Sequence, residues 1–237
     1  MKTDRRFGAL AAVLLAAIVF SFAPQTATAA VSFVQAVGST DDSPAPTIAQ
    51  AFTAANTAGN LIVVAVSWGD NPAPAIRAAD TLGNTYLVAV NDFDSGNRQG
   101  LAILYAFNIR AGANTVTVTF GTTGGYRRVI VSEYSGVATT APLDVTAKSQ
   151  GIATTAANAV TSTAATTTAS GNLIFGVTMD DSGGFGTINA GTGFTRRASL
   201  NGMDMATEDL VQAAAGAVAA TFTFTRPDSY LAQMATF

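Results

Sequence analysis

The chain contains neither cysteine nor histidine, and only 11% of its 237 residues are charged. Without cysteine there is no disulfide framework, thiolate nucleophile, zinc knuckle or iron–sulfur cluster. Without histidine the commonest general base and transition-metal ligand are missing, which excludes Ser-His-Asp triads and HExxH zinc sites. Globular domains ordinarily carry about 25% charged residues. Here Thr, Ser, Ala, Gly and Asn replace them, while hydrophobic residues stay ordinary at 49%. A net charge of -3 gives no electrostatic footprint for nucleic acid.

What is present begins with a targeting segment. Lys2, Arg5 and Arg6 precede an uncharged apolar stretch from Phe7 to Phe22. Pro24 breaks the stretch, and Ala27-Thr28-Ala29 supplies the small residues that signal peptidase requires. Residues 1–30 are therefore expected to be a cleaved secretory signal. The alternative is retention as an N-terminal anchor, because the apolar run falls only slightly short of the ~20 residues of a membrane span. Removal leaves 9 positive and 14 negative residues, a net of -5, and no later segment reads as a membrane span. The mature protein is expected to be soluble and secreted, either extracellular or on the cell surface.

Strand signals dominate residues 31–237. Leu61–Trp68, Thr85–Val90, Leu101–Ile109, Thr115–Phe120 and Arg128–Tyr134 are short β-branched or aromatic runs separated by Gly, Asn or Asp. Leu61–Val66 is apolar on both faces, as in a strand inside a sandwich. No apolar stripe of helical period persists for three turns.

The chain also repeats itself. Ala58-Gly59-Asn60-Leu61-Ile62 recurs as Ser170-Gly171-Asn172-Leu173-Ile174, and Gly83-Asn84-Thr85 as Gly193-Phe194-Thr195. The run from Ala111 to Phe120 matches that from Ala215 to Phe224, and Val131–Tyr134 matches Met234–Phe237. The matches keep their order, so the mature chain divides into related halves at about 31–141 and 142–237. Two architectures fit. The favoured one is a single jelly-roll-like β-sandwich with an internal two-fold repeat, both halves sharing a core. The alternative is two tandem Ig-like sandwiches.

The segments EYSGV (133–137), PLD (142–144) and QMATF (233–237), with the repeated Gly-Asn-Leu-Ile, resemble a recurrent extracellular β-sandwich domain of secreted bacterial proteins. The resemblance extends over nearly all of the mature chain. It implies an extracellular, all-β, non-enzymatic module of unassigned function and brings no catalytic residues with it.

Candidate chemistry is sparse. Glu133 and Glu208 are the only glutamates and could form a glycosidase pair, although solvated or Arg-paired surface carboxylates are the better reading. No cofactor is expected. Calcium is the metal that suits an oxygen-only ligand set, with Asp70, Asp180 and Asp181 as candidate ligands after equivalent strands. Trp68, the only tryptophan, is the candidate sugar-stacking ring, although alternation places it with Ile62, Val64 and Val66 on a core face. Tyr86, Tyr105, Tyr126 and Tyr230 are scattered. Arg127-Arg128 and Arg196-Arg197 read as edge charges that discourage aggregation.

Together these features point to a secreted, non-enzymatic structural or adhesive module. Its partner would be a surface polysaccharide or another copy of itself, with no nucleic acid and no membrane span after signal cleavage. A carbohydrate-binding module is the second reading and a His-free glycan hydrolase or lyase the third.

Overall fold

The computed structural model describes residues 30–69, 75–154, 158–181, 186–200 and 205–237, and these are all-β without a helix. In the first half, β1 (Ser32–Asp41), β8 (Arg127–Ser135), β3 (Leu61–Gly69), β6 (Gln99–Ala106) and β5 (Leu87–Asp94) pair in that order into a five-stranded antiparallel sheet. A smaller sheet has the order β2 (Ala45–Ala51), β7 (Thr115–Gly124), β4 (Arg77–Asp80).

The second half repeats this plan. Its large sheet runs β9 (Thr146–Ala153), β18 (Asp228–Thr236), β12 (Leu173–Asp180), β15 (Met205–Val211), β14 (Thr195–Ser199). Its small sheet runs β10 (Ala159–Thr161), β17 (Thr221–Phe224), β13 (Ile188–Ala190), with β11 (Ala165–Thr166) and β16 (Ala217–Val218) pairing beside it.

The sequence repeat is thus a repeat of topology and of register. Ile62 lies opposite Glu133 and Ala106, while its counterpart Ile174 lies opposite Thr236 and Leu210. Gly59 and Gly171 precede these central strands with φ of 84° and 80°, a left-handed conformation that glycine adopts without steric cost. That requirement explains the glycine that opens both copies of the Gly-Asn-Leu-Ile signature.

The halves share a core, as the single-sandwich reading expects, but they exchange no strands: every sheet draws its strands from one half. Each half is a two-layer sandwich, and the two large sheets pack face to face to give four layers. Val64, Val116, Val118 and Phe120 fill the first sandwich, and Ile174, Phe222, Phe224 and Met234 fill the second. Between the large sheets, Leu61, Val63, Ile103 and Tyr134 meet Phe175, Val177, Leu231 and Phe237. β3 and β12 are therefore covered on both faces and buried throughout, which is why both are apolar on both faces. β1 packs against β14 and β5 against β9. This reciprocal contact between equivalent strands is the self-complementary contact of a two-fold dimer within one chain.

Candidate functional site

The β-sandwich uses its scarce carboxylates internally. Glu133, on the face of β8 turned toward the first small sheet, is fully buried. Its Oε1 accepts from the Asn60 side chain at 2.7 Å and the Thr57 N–H at 2.8 Å. Its Oε2 accepts from the Asn56 and Gln35 side chains, each at 2.8 Å. Glu208, also fully buried, faces the opposite small sheet from β15. It accepts from the Gly191 N–H at 2.8 Å and the Thr221 N–H at 3.0 Å. Burial, with a smaller push from neighbouring Asp209, raises its pKa to about 8 against these two hydrogen bonds.

These positions correct the surface reading of both glutamates. They also separate the glutamates as a catalytic pair, because each side chain points outward from its own large sheet and both large sheets stand between them. A retaining or inverting pair must face one sugar across about 5–9.5 Å.

Asp144 performs the Glu133 task in the second half. Its carboxylate accepts from the Asn172 side chain at 2.7 Å, the Thr168 N–H at 2.8 Å and the Thr168 hydroxyl at 2.7 Å. The acid has moved from the strand to the loop before β9, while the asparagine has stayed in place. Asp80 is a third such node, receiving Asn114, Asn84 and Tyr86 side chains at 2.9, 2.7 and 2.9 Å. Burial works to raise its pKa, but these hydrogen bonds win and hold it below the ordinary carboxylate value.

Arg127 is buried and not an edge charge. It forms an ion pair with Asp41 at 2.8 Å and donates to the carbonyls of Ser43, Ala45 and Thr47. Arg128 pairs with Asp42 at 2.5 Å. The edge reading suits the other pair better, because Arg196 and Arg197 lie on edge strand β14 beside a bulge. There Arg197 also pairs with Asp209 at 2.8 Å and sits 4.3 Å from the Phe33 ring centroid.

The other candidate residues lie at one end of the molecule, where β3 and β12 finish and β6 and β8 begin. Trp68, near the end of β3, is only 2% exposed, with its ring 6.0 Å from that of Phe120 and lying over Gly100. A buried ring offers no face to a sugar, so Trp68 is a core residue. Asp70 lies outside the described residues.

Asp180 and Asp181 are brought to this end but turn different ways. Asp180 is buried and lines a cleft of about 160 Å³ with Ile188, Phe224, Arg226 and Asp228. Asp181 turns toward the first half and accepts from the Gln99 side chain. Its pKa is raised by burial first, then by Asp228 and Asp94. Among the described residues no group of three acidic side chains is placed to hold a metal ion, and the candidate calcium ligand Asp70 lies outside them.

Among the described residues, the aromatic ring presented at this end is that of Tyr126, which is 59% exposed. It occupies the two-residue corner Gly125–Tyr126 that takes the chain from β7 in the small sheet to β8 in the large one. Among the four tyrosines noted in the sequence, nothing but the preceding Gly124-Gly125 turn singles it out.

No match to this chain was found among protein-family models, curated proteins or solved structures.

Proposed function

We infer that the protein is a secreted structural or adhesive module that works by presenting a rigid surface, outside the cell or attached to it. The observation that carries this reading is the outer face of each small sheet. On the first, Thr47, Thr119 and Arg77 lie in register beside Ala49, Thr117 and Ala79. On the second, Ala159, Thr223 and Asn189 lie in register beside Thr161 and Thr221. These short, mostly neutral side chains form two polar faces on opposite sides of a four-layer body. Such faces suit weak, repeated contacts with a polymer or with neighbouring copies.

The secretory pattern of residues 1–30 and the resemblance to an extracellular domain support export. The experiment is adhesion of purified protein, coupled to beads, to cells and cell-wall material. Retention above that of beads carrying an unrelated β-sandwich supports the reading, and equal retention refutes it.

Carbohydrate binding is the second reading. The exposed Tyr126 ring favours it, with Trp68 removed from consideration by its burial.

A further inference from the structure

We propose that Tyr126 is a stacking platform for a neutral pyranose sugar, so that the corner between β7 and β8 is the adhesive contact of the module. This rests on the adhesive reading and names the chemistry of the partner.

The backbone supplies the first argument. Six described residues other than glycine have positive φ, two of them asparagines, and Tyr126 at 52° is the only aromatic. In that region a Cβ crowds the adjoining carbonyl, and glycine relieves the crowding. The chain places a glycine one position early, at 125, and gives the left-handed position to a bulky ring.

Burial does not offset this strain. Among the described residues, Tyr126 is the only aromatic in the set of exposed large apolar side chains. The ring is nevertheless braced. A Cβ on Gly69 would lie 3.1 Å from Tyr126 Cδ2 and 3.3 Å from its Cβ. The Gly69 N–H also donates to the Gly125 carbonyl at 3.1 Å. Bare backbone at Gly69 thus lets the tyrosine rest against β3 while much of the ring stays open to water.

The surroundings select the ligand. The Asp42 carbonyl lies against Gly125, and the Asp42 side chain is 65% exposed while paired to Arg128. A pyranose presents an apolar C–H face to such a ring and hydroxyls at its rim to a carboxylate. A nucleobase would stack as well, but its phosphates would meet Asp41 and Asp42, whose partners Arg127 and Arg128 are already engaged. A stable protein partner needs about 800 Å² on each side, whereas among the described residues the other exposed large apolar side chains belong to β1, β5, β9 and β15.

The test is affinity electrophoresis of the full chain in gels containing hydroxyethylcellulose, glucomannan or glycol chitin, with heparin as the anionic comparison. At least one neutral polymer should retard the wild type. Tyr126→Phe should keep the retardation, and Tyr126→Ala should weaken it on the order of tenfold. Tyr126→Gly should weaken it as much as Tyr126→Ala does, without lowering Tm, because glycine relieves the strain. Retardation of Tyr126→Ala equal to wild type, retardation by heparin alone, or none by any neutral polymer would overturn the proposal. So would a clear drop in Tm for Tyr126→Gly, which would make the ring a structural element. Bead adhesion that persists in Tyr126→Ala would refute this site and leave the adhesive reading standing; wild-type beads that do not adhere would refute that reading itself.

Discussion

Asn60 and Asn172 hold equivalent positions in the two halves, and each donates its side-chain amide to a carboxylate at 2.7 Å, Glu133 in one half and Asp144 in the other. The hydrogen-bonding requirement has persisted while the residue that meets it has changed type and moved from a strand to a loop.

Removing the acid should leave these donors without a partner. Glu133→Ala strips a fully buried node of four donors and should cost about 3–5 kcal/mol. Asp144→Ala acts at a half-buried site and should cost about 1–2 kcal/mol. Urea denaturation of both variants checks the order. Equal effects would contradict the burial difference.

The pH dependence of stability should have two limbs of opposite sign. Glu208 has a folded-state pKa of about 8, against about 4.3 for an unfolded glutamate. The folded state binds more protons in that window, so the Glu208 contribution is full below it and is lost as pH rises through 8. Asp80 is shifted downward; its contribution is present above the ordinary aspartate value and disappears as pH falls through its folded-state pKa. Stability should therefore peak below neutrality. Glu208→Gln should flatten the alkaline limb, and Tm measured from pH 3 to 10 reads both effects.

Trp68 and Gly100 form a matched pair. A Cβ on Gly100 would lie 2.0 Å from Trp68 Cζ2, a distance no rotamer adjustment of a buried indole accommodates cheaply. Gly100→Ala should destabilise by at least about 2 kcal/mol through overpacking. Trp68→Ala should lose about 3–5 kcal/mol through the cavity it leaves. In the wild type, tryptophan emission should be blue-shifted and resist acrylamide quenching. A red-shifted, readily quenched spectrum would show that the ring is open to solvent.

The halves should unfold together. Tyr134 of the first half and Phe175 of the second are in edge-to-face contact at 6.4 Å, and neither large sheet has a water-compatible face when separated. One calorimetric transition is expected. Phe175→Ala should lower its midpoint while costing about 3–5 kcal/mol, without splitting it in two.

Much of the fold was legible from the sequence. The repeat around Asn60 and Asn172 announced two equivalent halves, because identical register demands the same residues before each central strand. The apolar character of Leu61–Val66 announced a strand covered on both sides, and alternation put Trp68 on a core face. The polar interior was not legible. Glu133 reads as a surface acid because its donors Gln35, Asn56 and Asn60 come from distant segments. The burial of Arg127 depends on carbonyls, which every residue has, so no sequence signal marks it. Asp180 and Asp181 are adjacent in the chain, but period-two alternation sends them to opposite sides of the sheet. Tyr126 was one scattered tyrosine until the corner gave it a left-handed backbone and an open ring.

The most direct test of the account is fractionation of cells that produce the protein, with mass spectrometry of the recovered chain. The account predicts a chain lacking residues 1–30, found outside the cytoplasm and largely bound to surface material. A full-length chain in the cytoplasmic fraction, or a processed chain wholly free and monomeric in the medium, would contradict it.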